Sequence, residues 1–148
     1  RTAKLISSEI VGFPPDEANW YERIAWANLF PAAPSEGGNP SDHLISAQRP
    51  IARKLLNQTI DVYKPTHILF VTGWDDWLYY RTDHKKGDHF QCMLDCIPEA
   101  EIKAIADRKK AVIWGGLCRG AKIVIANRPE RKAETEYVKS VLRAFQDI

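Results

Sequence analysis

The first residue whose type and position suggest chemistry is Asn28, at the end of Arg23-Ile24-Ala25-Trp26-Ala27-Asn28-Leu29-Phe30-Pro31. A terminal amide holds both a donor and an acceptor, so it can read the edge of a nucleobase or another amide-like ligand. The same side chain can instead tie down the turn that follows it. Trp74, Trp77, Tyr79 and Tyr80 form a second group. Their rings could stack on a base or serve as core and loop anchors. Asp83, His84, Asp88 and His89 surround Lys85-Lys86-Gly87 and read as a solvated loop, because no third metal-ligand spacing is distinctive. Cys92-x-x-x-Cys96 offers two metal ligands, but no second close pair completes a four-ligand set. Small buried thiols are the expectation there. Gly115-Gly116…Gly120 matches neither the dinucleotide fingerprint nor the P-loop, and it leads into a strand.

The elements that must position these groups are legible in part. Arg23–Pro31 is short, apolar and stopped by Pro31 and Pro34, which predicts a buried strand of a parallel sheet. Ligands in open α/β sheets bind beyond the carboxyl ends of strands, which is where Asn28 would lie. The Pro31–Pro40 stretch is a loop by composition. Ser41 or Asp42 can cap a helix whose apolar residues run from Leu44 to Tyr63. Pro50 should kink or divide that helix, and Lys64-Pro65 ends it. Thr66–Gly73 is β-branched, continuous and closed by glycine, the strand of a βαβ unit. The residues from Trp74 to Tyr80 are expected as a short helix or lid. A helix starts at Pro98-Glu99, and Arg108-Lys109-Lys110 suits its C-terminal end. Strands are expected over 111–116 and 121–126, and a last helix from about Ala133 to Phe145. Residues 3–11 fit a helix or a strand.

The chain has 148 residues and a formal net charge of +2. That length suits one domain with one core. That charge leaves any nucleic-acid contact to a local basic patch. No apolar run approaches the roughly 20 residues of a membrane span, and no signal-peptide pattern opens the chain. Three cysteines are sparse and odd in number, which fits a reducing, cytoplasmic setting rather than a disulfide scaffold.

Three features occur in a telling order. Ala27-Asn28-Leu29 runs into a Pro/Gly/Asn-rich loop closing with Asn39-Pro40-Ser41; a proline-containing helix leads to Lys64-Pro65-Thr66-His67-Ile68; a final strand ends in Asn127-Arg128-Pro129. Across roughly residues 21–73 and 121–145 the chain resembles the uracil-DNA glycosylase superfamily, most closely the branch with a strand ending in Thr-Asn before a Pro-rich loop. The resemblance implies an α/β fold, a three-layer α/β/α sandwich around a mainly parallel four-stranded sheet. It implies DNA or a nucleobase as partner, a base flipped into a pocket at the strand ends, and hydrolysis of its N-glycosidic bond. By position, Asn28 matches the asparagine that reads the base. Arg128-Pro129 matches the family's His-Pro, which makes Arg128 the group that stabilises charge on the departing base. Arg131 and Lys132 suit phosphate contact, or a surface helix start.

The sequence also departs from the family. Arginine replaces histidine, with different reach and geometry. Glu130-Arg131-Lys132 supplies no apolar wedge. Ala32 and Ala33 stand where the iron–sulfur branch has a cysteine, so no cluster and no other cofactor is expected. The family's first motif, with its carboxylate and aromatic stacker, has no room upstream of Arg23. The expectation is therefore a single domain over 1–148, N-terminally incomplete. A non-catalytic base- or DNA-binding domain of the same fold is the alternative, and an unrelated flavodoxin-like or Rossmann-like module a third.

Overall fold

The computed structural model describes residues 1–14, 16–73, 77–81, 90–98, 100–101, 111–129 and 133–148. The fold is α/β. Its centre is a three-stranded mixed sheet. Strand β1 (His67–Phe70) pairs in parallel with β5 (Ala121–Ala126), and β4 (Val112–Cys118) pairs antiparallel with β5, giving the order β1-β5-β4. The four-stranded, mainly parallel sheet expected from the sequence is thus met by one parallel and one antiparallel pair among the described residues. The connection explains the antiparallel half. Cys118 pairs with Ala121 across Arg119-Gly120, and both turn residues have positive φ (52° and 82°). A two-residue turn of this hand returns the chain antiparallel; a parallel crossover needs a dozen residues or more.

β5 is the strand that the chain packs around. Its residues alternate between two cores, as a pleated strand requires. Ile123 and Ile125 face Ile45, Ala52 and Ile60 of helix α2 (Asp42–Tyr63), together with Leu78, Met93 and Leu94. Val124 and Ala126 face Ile6 of helix α1 (Thr2–Val11) and Tyr137, Val141 and Phe145 of helix α3 (Glu134–Gln146). Full burial of each of the valine, isoleucine, leucine, methionine and phenylalanine side chains among these is worth about 1.5–3 kcal/mol. Residues 2–11 are therefore helix, closed by Gly12 at φ 79° with its N–H bonded to Ser8 O. At the other end of the α1–α3 contact, Arg1 and Thr2 both reach Glu134.

α2 begins as the sequence indicates, with the Ser41 hydroxyl accepting from Leu44 N–H at 3.3 Å. Pro50 lies inside it without dividing it. Lys64 closes it in the left-handed conformation, its N–H bonded to Ile60 O.

The stretch 23–31 is a correction. It is no strand: a 3₁₀ turn covers Trp20–Arg23, and the chain from Ile24 to Phe30 is irregular and largely exposed, with Phe30 its one buried residue. Ala25 and Ala27 have little to pack on a pleated surface. A side chain serves the backbone just beyond it. Ala32 N–H donates to Gln48 Oε1 at 2.7 Å, and Gln48 Nε2 donates to Ala32 O at 3.0 Å.

At the end of the stretch expected as a short helix or lid, the described residues form a strand instead. β2 (Tyr79–Arg81) pairs antiparallel with β3 (Phe90–Cys92), and Leu78, Cys92, Met93, Leu94 and Ile97 are buried. Asp83, His84, Asp88 and His89 lie outside the described residues, as does most of the expected helix after Pro98. Cys96 and Cys118 form a disulfide, with Cα atoms 5.8 Å apart. Two of the three expected thiols are therefore paired. Cys92 is a buried free thiol, its pKa pushed up to about 11 by burial. Among the described residues, no helix is long and apolar enough to cross a membrane.

Candidate functional site

Parallel pairing puts the carboxyl ends of β1 and β5 at one edge of the sheet. The chain leaves β1 through Thr72-Gly73 and leaves β5 through Asn127-Arg128-Pro129. The two exits are stitched together. Gly73 N–H donates to Ala126 O at 3.0 Å, and Asn127 N–H donates to Ala111 O at 2.9 Å. Tyr137 Oη donates to Asn127 O at 2.7 Å. Burial raises the Tyr137 pKa to about 12, so its hydroxyl remains a donor at neutral pH. Gly73 has φ 71°, a conformation that favours glycine, and a Cβ there would touch Asn127 Oδ1 at 3.4 Å. The backbone that presents Arg128 is thus held from three sides.

The Arg128 side chain lies over Trp77, its guanidinium carbon 5.4 Å from the ring centre. Trp77 in turn packs against Phe30 at 5.6 Å between centroids, tilted by 50°. Phe30 follows Asn28 by two residues. Trp77 therefore links the segment that carries Phe30 to the Arg128 side chain. Phe30 makes the ring contact; Asn28 itself is exposed. Arg131 and Lys132 lie outside the described residues, as do Trp74, Asp75 and Asp76.

A second cation–ring pair borders the same core. Arg49 of α2 lies 4.3 Å from the centre of the Tyr80 ring, and Tyr80 Oη donates to Gln91 Oε1 at 2.8 Å. Sequence reading had Trp77 and Tyr80 as candidate stackers but missed Arg49, Gln48 and Tyr137. The Arg49-Pro50 dipeptide in a helix gives no local sign of a ring partner.

Chemically, a guanidinium resting on an indole face keeps its charge and its in-plane N–H donors. It can receive a carbonyl oxygen or an anion at the edge. An exposed amide on the neighbouring segment can supply a donor and an acceptor.

Arg119 presents a contrasting arrangement. It bonds Asp61 at 2.7 Å, both carboxylate oxygens of Asp95 at 2.9 and 3.0 Å, and Asn57 O at 3.1 Å. It borders a groove of about 440 Å³ beside α2, but its charge is spent on internal partners. It holds the β4–β5 turn, α2 and the segment after β3 together. No family model, curated protein or solved structure matches this chain.

Proposed function

We propose that this chain is a uracil-DNA glycosylase-like domain that takes a nucleobase at the carboxyl edge of β1 and β5 and excises a damaged or deaminated base from DNA. The observation that carries this reading is the contact series Arg128–Trp77–Phe30. It unites the segments that carry the family-like Asn28 and Arg128-Pro129. On this reading the described sheet and its helices belong to the three-layer α/β/α sandwich of that superfamily, and Arg131 and Lys132 meet phosphate.

The chemistry assigned to each group follows from charge. Water adds to C1′ of the sugar as its hydroxyl while the C1′–N bond breaks; the bonding pair leaves with the base, and the proton released by the water is finally taken up by the departed base. Negative charge then develops on the base, where the Arg128 guanidinium is the stabilising group. Asn28 pairs with the base edge, and Trp77 keeps Arg128 over the site. The test is incubation of the full chain with uracil- and mispair-containing duplexes, followed by detection of abasic sites. Abasic sites lost in Arg128→Ala and reduced in Asn28→Ala are expected. No abasic sites, and no retention of DNA at low salt, would remove this reading.

A second reading is base or DNA binding without turnover. Arg128 favours it, because arginine stands where the family has a histidine and its guanidinium is laid on Trp77. It predicts DNA retention weakened by Asn28→Ala, with no abasic sites formed.

A further inference from the structure

Helix α2 has two apolar faces, and among the described residues only one of them is packed into a core. Ile45, Ala52, Leu56 and Ile60 pack into the core. On the other side Ile51, Leu55 and Val62 are 64, 46 and 74 % exposed. With the exposed Gln58, these residues are spaced four, three and four apart, which is the seam of a heptad repeat. Lys54 and Asp61 flank that seam on one side, seven residues apart, so they occupy equivalent heptad positions.

We propose that this seam is a two-fold interface between two copies of the chain, formed by antiparallel packing of α2 on α2. The register follows from the spacing. Layers pair Ile51 with Val62 of the second copy, and Leu55 with Gln58 of the second copy. In an antiparallel pair, the flanking positions on one side face each other across the seam. The same register therefore sets Lys54 opposite Asp61 of the second copy, and two-fold symmetry makes the pair twice. Two residues of like sign at these positions would repel; opposite signs make the face complementary to itself. Asp61 is bonded to Arg119 on its own chain, yet its side chain remains 62 % exposed and open to a second cation. This inference is independent of any activity at the sheet edge.

Sedimentation velocity of the full chain over a range of concentrations tests it. A concentration-dependent dimer is expected, and Ile51→Asp should convert it to monomer with unchanged helix content. Lys54→Glu and Asp61→Lys each place like charges together and should weaken self-association. Mixing those two variants restores both pairs, so the mixed dimer should form about tenfold more tightly than either variant alone. Asp61→Lys also removes a partner of Arg119; if it does not fold, Lys54→Glu and Ile51→Asp still decide. A monomer at every concentration, or a dimer indifferent to Ile51→Asp and Lys54→Glu, overturns the proposal.

Discussion

The Arg128 guanidinium stands over the Trp77 ring at 5.4 Å, and this contact joins the exit of β5 to the segment after β1. The two partners should respond differently to truncation. Trp77 is partly buried against Phe30 and the main core, so Trp77→Ala should cost stability, about 2 kcal/mol against roughly 3–5 for a fully buried tryptophan. Arg128 is exposed, and Arg128→Ala should move stability by no more than about 0.5 kcal/mol. If the proposed chemistry holds, the same change should lower abasic-site formation by about 10²–10³-fold. Denaturant melts and an abasic-site assay on both variants separate the roles. A destabilisation in Arg128→Ala equal to that of Trp77→Ala would make the guanidinium structural.

Tyr137 acts one step behind Arg128. Its hydroxyl holds the Asn127 carbonyl at 2.7 Å, and its ring is buried under α1 and β5. Tyr137→Phe keeps the ring and removes the donor to that carbonyl. The expected cost is about 0.5–1.5 kcal/mol by chemical denaturation. The wild-type protein should also lose stability in alkali. The folded pKa, about 12, lies above the ordinary 10, so the stabilisation is complete below pH 10 and falls as pH rises toward 12. Tyr137→Phe should lack that part of the alkaline decline.

The Cys96–Cys118 bridge ties the segment after β3 to the β4–β5 turn, beside the Arg119–Asp95 ion pair. Native protein should react with no alkylating reagent at pH 8, because the Cys92 thiol is buried and its pKa lies near 11. Unfolded, unreduced protein should take one label, and reduced protein three. Reduction, or Cys96→Ser with Cys118→Ser, should lower stability by about 2–4 kcal/mol. Mass spectrometry of labelled protein and paired melts with and without reductant check both statements.

The sequence was most informative where local physics is strong. Ser41 and Lys64-Pro65 bound α2, and the β-branched run before Gly73 contains β1, because caps, prolines and continuous apolar runs act within a few residues. Arg119-Gly120 was not read as a hairpin, since arginine is not among the residues that favour a left-handed turn; its side-chain contacts with Asp61 and Asp95 accompany that conformation. The 23–31 stretch looked like a strand because apolar content does not say whether a pairing partner exists. Cysteine connectivity likewise depends on distant contacts. For the site, residue type suggested Asn28 and a family resemblance suggested Arg128. The contacts of Arg128 and Phe30 with Trp77 are tertiary and leave no periodic trace.

His67 gives the last prediction, because its environment opposes protonation. It opens β1, its ring edge-on to Phe145 at 5.3 Å, and Lys122 pairs with it across the sheet. Lys122 Nζ donates to Phe145 O at 2.8 Å, which keeps that cation close. Burial and then the Lys122 charge lower the His67 pKa below 6.5. The folded state therefore binds this proton less readily than the unfolded state. Its contribution is full above pH 6.5 and is lost as pH falls through the lower folded value. Denaturant melts at a series of pH values should show stability declining on the acid side of 6.5. His67→Gln, which cannot charge, should flatten that part of the curve, and an unchanged acid decline in this variant would assign the effect to other groups.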